Sequence, residues 1–185
     1  APPAPSAGVA RRGAPSTRRV GPSPFSRGRH PAVLDNRRKP GAAWVVCDVG
    51  FSESTSGSGD DALAAAIGKG GPVILAYGQS DLTYGEHSVV YKNQGDSNRP
   101  LDKFVCGDPT AKPGCKSLAE LGSTAVILDP DRVVRRMPMF SQVPCLTDGE
   151  GRCTSGNIYP LSFLAYRQFL LQTQASTVPL QYTPN

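Results

Sequence analysis

The chain has 185 residues, of which 38% are hydrophobic and 19% are charged; this composition is typical of one soluble folded domain and excludes global disorder. Its longest apolar runs have the length of a strand, well below the ~20 residues of a membrane-spanning helix. The net charge of +5 is uneven, because residues 1–40 hold nine Lys or Arg and one acid, whereas the remainder holds eleven bases and fourteen acids.

Composition divides the chain into three predicted parts. Residues 1–20 are rich in Arg and Pro and predict a flexible basic tail, residues 21–175 predict a single α/β domain, and residues 176–185 predict a linker. A basic tail can bind nucleic acid through non-specific attraction. No aromatic residue separates the arginines before Phe25, so a solvated tail is favoured and no nucleic-acid partner is expected.

The first half of the domain predicts a strand–helix–strand unit. A short helix is expected over residues 30–39, followed by an apolar strand over 42–49. Asp60 is expected to cap a helix that ends near Gly68, and residues 73–77 are expected to form a second apolar strand. Short links between these elements imply a right-handed crossover and a parallel strand pair.

The second half predicts a hairpin and a long helix. After a loop-rich stretch with a short strand over 88–91, apolar runs over 124–128 and 133–140 flank a turn at Asp129-Pro130-Asp131-Arg132. The longest helix is expected over 158–173 with Asn157 as its cap, and Trp44 and Leu164 are expected in the core. The fold class is therefore α/β: a mixed sheet with a parallel βαβ core, flanking helices and a C-terminal hairpin plus helix.

The five cysteines indicate an oxidising compartment. Two turn-rich segments are bounded by cysteines, so disulfides are predicted between Cys106 and Cys115 and between Cys145 and Cys153, with Cys47 as a buried inert thiol. A zinc site is the alternative, but CxxC spacing is absent and the chain has two histidines. No metal and no cofactor is predicted.

Two groups of charged residues are candidates for ligand binding. Asp48, Glu53 and Asp61 follow the first strand, at the sheet edge where α/β folds bind ligands, and they could contact a ligand or a divalent cation. Capping of strand and helix ends explains these acids without a ligand and is favoured. In the second group, Arg135 could grip an anion together with Asp129 and Asp131, or it could simply pair with these acids across the turn.

Recognisable catalytic motifs are missing. The sequence contains no Gly-x-Ser-x-Gly elbow, no Walker loop, no HExxH and no GxGxxG. Two histidines in unrelated loops disfavour a nucleophilic triad. We therefore expect a domain without catalysis of its own; the alternative is a small metal-dependent hydrolase that uses the acidic group after the first strand.

Several stretches in the same order resemble the second type of CHASE domain, the cyclases/histidine kinases associated sensory extracellular domain. The resemblance covers roughly residues 21–169 and rests on the segments 21–27, 30–34, 44–53, 60–67, 73–76, 122–138 and 159–162. The residues that match the family pattern are Arg27, Asp48, Phe51, Glu53, Asp61, Asp129, Asp131 and Arg135. The chain departs from the family pattern at two points. It has no apolar strand within residues 1–20, and it has Arg132 where the family usually has Gly.

The resemblance implies the extracytoplasmic input domain of a bacterial membrane receptor. Its expected partners are a small-molecule or protein stimulus, the membrane through flanking helices outside this chain and, as one option, a second copy in a homodimer. The output module would be a nucleotide cyclase, a histidine kinase or a protein kinase.

Overall fold

The computed structural model describes residues 25–39, 42, 44–79, 82–84, 89–91, 97–106, 118–135, 137–147 and 153–173. After a 3-10 turn at Arg27–Arg29, the helices are α1 His30–Arg38, α2 Gly59–Gly68, α3 Asp102–Cys106 and α4 Leu161–Thr173. The strands are β1 Val45–Cys47, β2 Val73–Gln79, β3 Leu82–Tyr84, β4 Val89–Tyr91, β5 Ser97–Asn98, β6 Glu120–Ser123, β7 Ser141–Thr147 and β8 Cys153–Ile158. No helix in these ranges is long and apolar enough to cross a membrane.

A mixed sheet centred on β2 organises the domain. β2 pairs in parallel with β1, in a register that aligns Val45 with Val73, and in parallel with β6, in a register that aligns Ile74 with Glu120. The short β5 pairs antiparallel with the end of β2. The predicted α/β class and the parallel β1–α2–β2 unit are confirmed, whereas the parallel strand β6 was not predicted.

Helices cover both faces of β2, which explains its continuous apolar sequence. On one face, Val73 and Leu75 join a buried cluster with Leu34 of α1 and with Leu63 and Ile67 of α2. On the other face α4 packs over β2 and β6. Leu164 of α4 is buried as predicted. Trp44 is only half-buried, so its predicted place in the core was wrong; it precedes β1, and its ring lies edge-on to that of Phe169 at 6.5 Å.

Helix α4 lies close against β6 at a glycine. A Cβ at Gly122 would lie 2.8 Å from both Cα and Cδ1 of Leu161, so no larger residue fits there without movement. The Ser123 N–H donates to the Tyr159 carbonyl at 2.8 Å beside the start of the helix. Arg167, in the second half of the helix, pairs with Glu120 at the start of β6. The helix therefore runs antiparallel to the parallel strands.

The position predicted for the C-terminal hairpin was wrong. The turn at residues 129–132 forms, with the Arg132 N–H donating to the Asp129 carbonyl at 2.7 Å, but the described residues of the flanking runs 124–128 and 133–140 are not in strands. The hairpin is β7–β8, whose register shifts between Val143 and Leu146. Pro144 lies in that interval and cannot donate to a strand ladder, which obscures the strand in the sequence.

Three smaller expectations are also corrected. The first strand is confined to Val45–Cys47. Helix α4 begins at Leu161 because Ile158 still belongs to β8, so Asn157 lies in a strand and does not cap the helix. Cys47 is free but half-buried. Burial raises the pKa of its thiol to about 11, although the positive charge of Arg38 partly opposes this rise.

Some predictions lie outside the described part of the chain. They concern the terminal segments 1–20 and 176–185, Cys115, and the side chains of Cys106, Cys145 and Cys153. The two predicted disulfides therefore stay predictions.

Candidate functional site

An open cleft lies beyond the carboxyl end of β1, between residues 25–30 and the loop 49–59. Its volume is about 800 Å³. Hydroxyl groups from both walls line it, together with three rings and one carboxylate: Ser26, Ser52, Ser54, Thr55, Ser56, Ser58, Phe25, His30, Phe51 and Glu53. The carboxyl edge of parallel strands is the usual place for ligands in open α/β sheets.

Arg27 joins the two walls of this cleft. Its Nε lies 3.1 Å from Oδ1 of Asp60, and its Nη2 donates to the carbonyl oxygen of Glu53 at 2.7 Å. The guanidinium also lies over the rings of Phe51 and Phe104, at 4.8 and 5.6 Å from their centroids. The side chains of Arg27 and Asp60 are only 10% and 3% exposed, so this is a buried ion pair whose two charges depend on each other.

Asp60 is held by more than the arginine. Its carboxylate accepts hydrogen bonds from the Thr55 backbone N–H at 2.8 Å, from the Thr55 hydroxyl at 2.9 Å and from the Ser54 hydroxyl at 3.3 Å. Burial raises the pKa of Asp60, but the bonds from Thr55, the charge of Arg27 and the bond from Ser54 together lower it below its ordinary value of 3.8. Asp60 is therefore ionised at neutral pH and ties the loop and residue 27 to helix α2.

The sequence interpretation named Asp61 as the ligand-binding acid and treated Asp60 as a helix cap. The structure gives the buried position to Asp60 and leaves Asp61 exposed, paired with Lys103 at 2.8 Å. Helical periodicity could have made this distinction, because Asp60 shares one face of α2 with Leu63 and Ile67, both buried.

The three carboxylates predicted after the first strand do not form one site. Glu53 lines the cleft, Asp48 is exposed at the end of β1 and does not line it, and Asp61 points to Lys103. Within the described residues, no group of three or more His, Cys, Asp or Glu side chains is placed to hold a metal ion. The geometry therefore gives the metal-dependent alternative no support.

The second predicted group forms its own exposed cluster in the turn 129–135. The two terminal nitrogens of Arg135 contact both carboxylate oxygens of Asp131, at 2.8 and 2.7 Å, and Nη1 lies 3.4 Å from Asp129. The bond from Arg135 and that from the Val133 N–H lower the pKa of Asp131. Arg132 adopts a left-handed backbone with φ of 63°, the conformation that glycine adopts most easily. The arginine thus binds the acids of its own turn.

Comparison with known proteins identifies the family. The sequence model of the CHASE2 domain matches residues 12–183, which is nearly the whole chain. No curated protein and no solved structure gives a significant match. The chain therefore belongs to the CHASE2 domain family, a family of extracellular sensory domains.

Proposed function

We propose that this chain is the extracytoplasmic input domain of a bacterial transmembrane signalling receptor, and that it recognises its stimulus in the cleft beside Arg27. The observation that carries the proposal is the position of the cleft: it opens beyond the carboxyl end of β1 with a volume of about 800 Å³, at the sheet edge where open α/β folds bind ligands. Family membership supports the sensory role, because CHASE2 domains are often linked to cyclases and kinases.

The lining of the cleft fits recognition better than catalysis. The exposed hydroxyl groups of Ser26, Ser56 and Ser58 can hydrogen-bond to a small ligand, while the charge of Arg27 is already balanced by Asp60. Of the six residues predicted to contact a ligand, only Glu53 lines the cleft. We therefore assign recognition to Glu53 and the surrounding hydroxyls, and we regard the remaining five as charges outside the cleft.

The position of the cleft also fits signalling. One wall, residues 25–30, belongs to the N-terminal side of the domain, and the other is the loop between β1 and α2. A ligand that contacts both walls favours one spacing between them, which shifts the population of domain conformations. The output in the parent protein would be a nucleotide cyclase, a histidine kinase or a protein kinase module.

A matched pair of tryptophan variants tests the site. Small molecules are screened for a rise in melting temperature, because a ligand that binds only the folded state stabilises it by mass action. Ser56→Trp places a bulky ring at the exposed cleft wall and should abolish the rise. Ala65→Trp, on the exposed side of α2 outside the cleft lining, should preserve it. An equal rise in melting temperature in both variants would show that the ligand binds outside the cleft.

We also propose that the domain has no turnover of its own. Phosphoesters and nucleotides are incubated with the chain in Mg²⁺, Mn²⁺ or Ca²⁺, alongside the variant D48N/E53Q/D61N. We expect no product from either protein. Metal-dependent product that disappears in the variant would establish the hydrolase instead.

A further inference from the structure

One projecting segment concentrates exposed apolar side chains. Residues 124–140, here called the arm, leave the sheet after β6, turn at residues 129–132 and return to β7. Six large apolar side chains of the arm are between 47% and 60% exposed: Val126, Leu128, Val133, Val134, Met137 and Met139. Isolated exposed apolar residues are ordinary, but a concentration of this kind on one segment marks an interaction surface.

The arm has a defined shape. Ile127 is 5% exposed while its neighbours Val126 and Leu128 are 56% and 55% exposed, so the inner side chain anchors the arm and its two neighbours face away from the core. The Asp129 N–H donates to the Val133 carbonyl at 3.1 Å and closes the tip. On the return path the Met137 sulfur accepts a hydrogen bond from the hydroxyl of Ser162 in α4 at 3.9 Å. The apolar side chains are therefore presented from an anchored backbone.

The exposed area is large enough for a stable protein contact. Six half-exposed side chains of this size together leave roughly 600 Å² of surface in solvent, an area comparable with the largest apolar patches that monomers carry. With the neighbouring polar atoms of the arm, this approaches the ~800 Å² per partner of a standard protein interface. We infer that the arm is the contact surface for a second copy of this chain, in a two-fold dimer.

The charges of the arm favour a second copy over a lipid surface. The two aspartates and three arginines of its sequence nearly cancel, so two copies related by a two-fold axis can meet with little net repulsion. Arg135 already neutralises the acids of its own tip. A membrane-binding segment would instead combine a clear surplus of bases with Trp or Tyr at the interface; the charges of the arm nearly cancel, and it contains neither Trp nor Tyr.

Sedimentation equilibrium of the 185-residue chain tests the dimer. We expect the wild-type chain to be dimeric at about 50 µM, and V126E/M137E to weaken the dimer at least ~100-fold, because both charges would enter an apolar interface. Leu171→Glu is the matched control: its side chain is 63% exposed, but it lies near the far end of α4, and it should leave the dimer unchanged. Circular dichroism and melting temperature confirm that each variant is folded.

Four outcomes would overturn the inference. The first three are a wild-type chain that stays monomeric at 100 µM, arm variants that dimerise like wild type, and loss of the dimer in Leu171→Glu alone. The fourth is a wild-type monomer that sediments with anionic phospholipid vesicles, when the arm variants do not sediment with them. If V126E/M137E fails to fold, M137Q/M139Q removes apolar contact without adding charge and should still weaken the dimer.

Discussion

Removing one partner of the buried Arg27–Asp60 pair should destabilise the domain severely. Asp60→Ala leaves the Arg27 side chain, which is 10% exposed, without its counter-charge, and it also removes the acceptor for Thr55 and Ser54. Breaking a buried ion pair in this way costs about 3–5 kcal/mol. Because domains are stable by only about 5–15 kcal/mol, this variant should lose a large share of its stability.

A double-mutant cycle separates the pair from its surroundings. Arg27→Met keeps apolar contact with Phe51 and Phe104 but leaves Asp60 without its counter-charge. Combining it with Asp60→Ala removes both charges, so the double variant should be less destabilised than the sum of the single variants, by about 1–3 kcal/mol. Urea denaturation at pH 7 measures each free energy of unfolding, provided that the slope with denaturant stays constant.

Asp61→Asn is the matched control, because its carboxylate is 76% exposed and pairs with Lys103 at the surface. Its urea midpoint should stay at the wild-type value, as is usual for exposed ion pairs. The reasoning would be refuted if Asp60→Ala cost less than about 1 kcal/mol, or if the two single effects added without coupling.

The same pair predicts an acid response. The folded-state pKa of Asp60 lies below 3.8, so its stabilising contribution is fully present above about pH 5 and is lost as the pH falls through the folded-state pKa. Asp60→Asn should therefore flatten the loss of stability on acidification. If the free energy of unfolding of that variant falls on acidification as it does in wild type, other carboxylates cause the acid response.

Four further predictions follow from single positions. Arg132→Gly should stabilise the domain by roughly 0.5–1 kcal/mol, because it relieves a left-handed backbone at some cost in unfolded-state entropy; a lower urea midpoint would contradict this. Gly122→Ala should cost about 1–3 kcal/mol through overpacking against α4, whereas Gly50→Ala, with nothing within 4 Å of the new Cβ, should not. Leu164→Ala should cost about 2–5 kcal/mol by creating a cavity. Cys47 should react slowly in native alkylation at pH 8, because its pKa of about 11 leaves little thiolate. Intact-mass analysis should also find the other four cysteines protected as two disulfides. Five rapidly alkylated cysteines would exclude the predicted pairing.

The sequence alone determined the β1–α2–β2 core and the family. Apolar runs of strand length, a helix between them and Gly-Pro breaks fix that unit locally, and few alternative packings satisfy all three signals. Arg27 and Phe51 were singled out by resemblance, and the structure places both at the cleft. Their contacts with Asp60 and Phe104 could not be derived from spacing, since the partners lie more than thirty residues away along the chain.

Tertiary packing decided what local sequence left ambiguous. Residues 120–123 have the weakly strand-like sequence Glu-Leu-Gly-Ser and form β6, because Gly122 admits helix α4 against the sheet. Thr124 still donates its N–H to the Tyr77 carbonyl of β2 at 3.1 Å, but the more apolar residues 125–128 pair with no strand in the described chain. The two adjacent acids of α2 show a related division: helical periodicity places Asp60 and Asp61 on different faces, but the tertiary fold brings Arg27 to Asp60 while Asp61 stays in solvent. Apolar pattern fixes where a strand or helix can form, but only the neighbours that cover its faces decide which residues are buried and which charges meet.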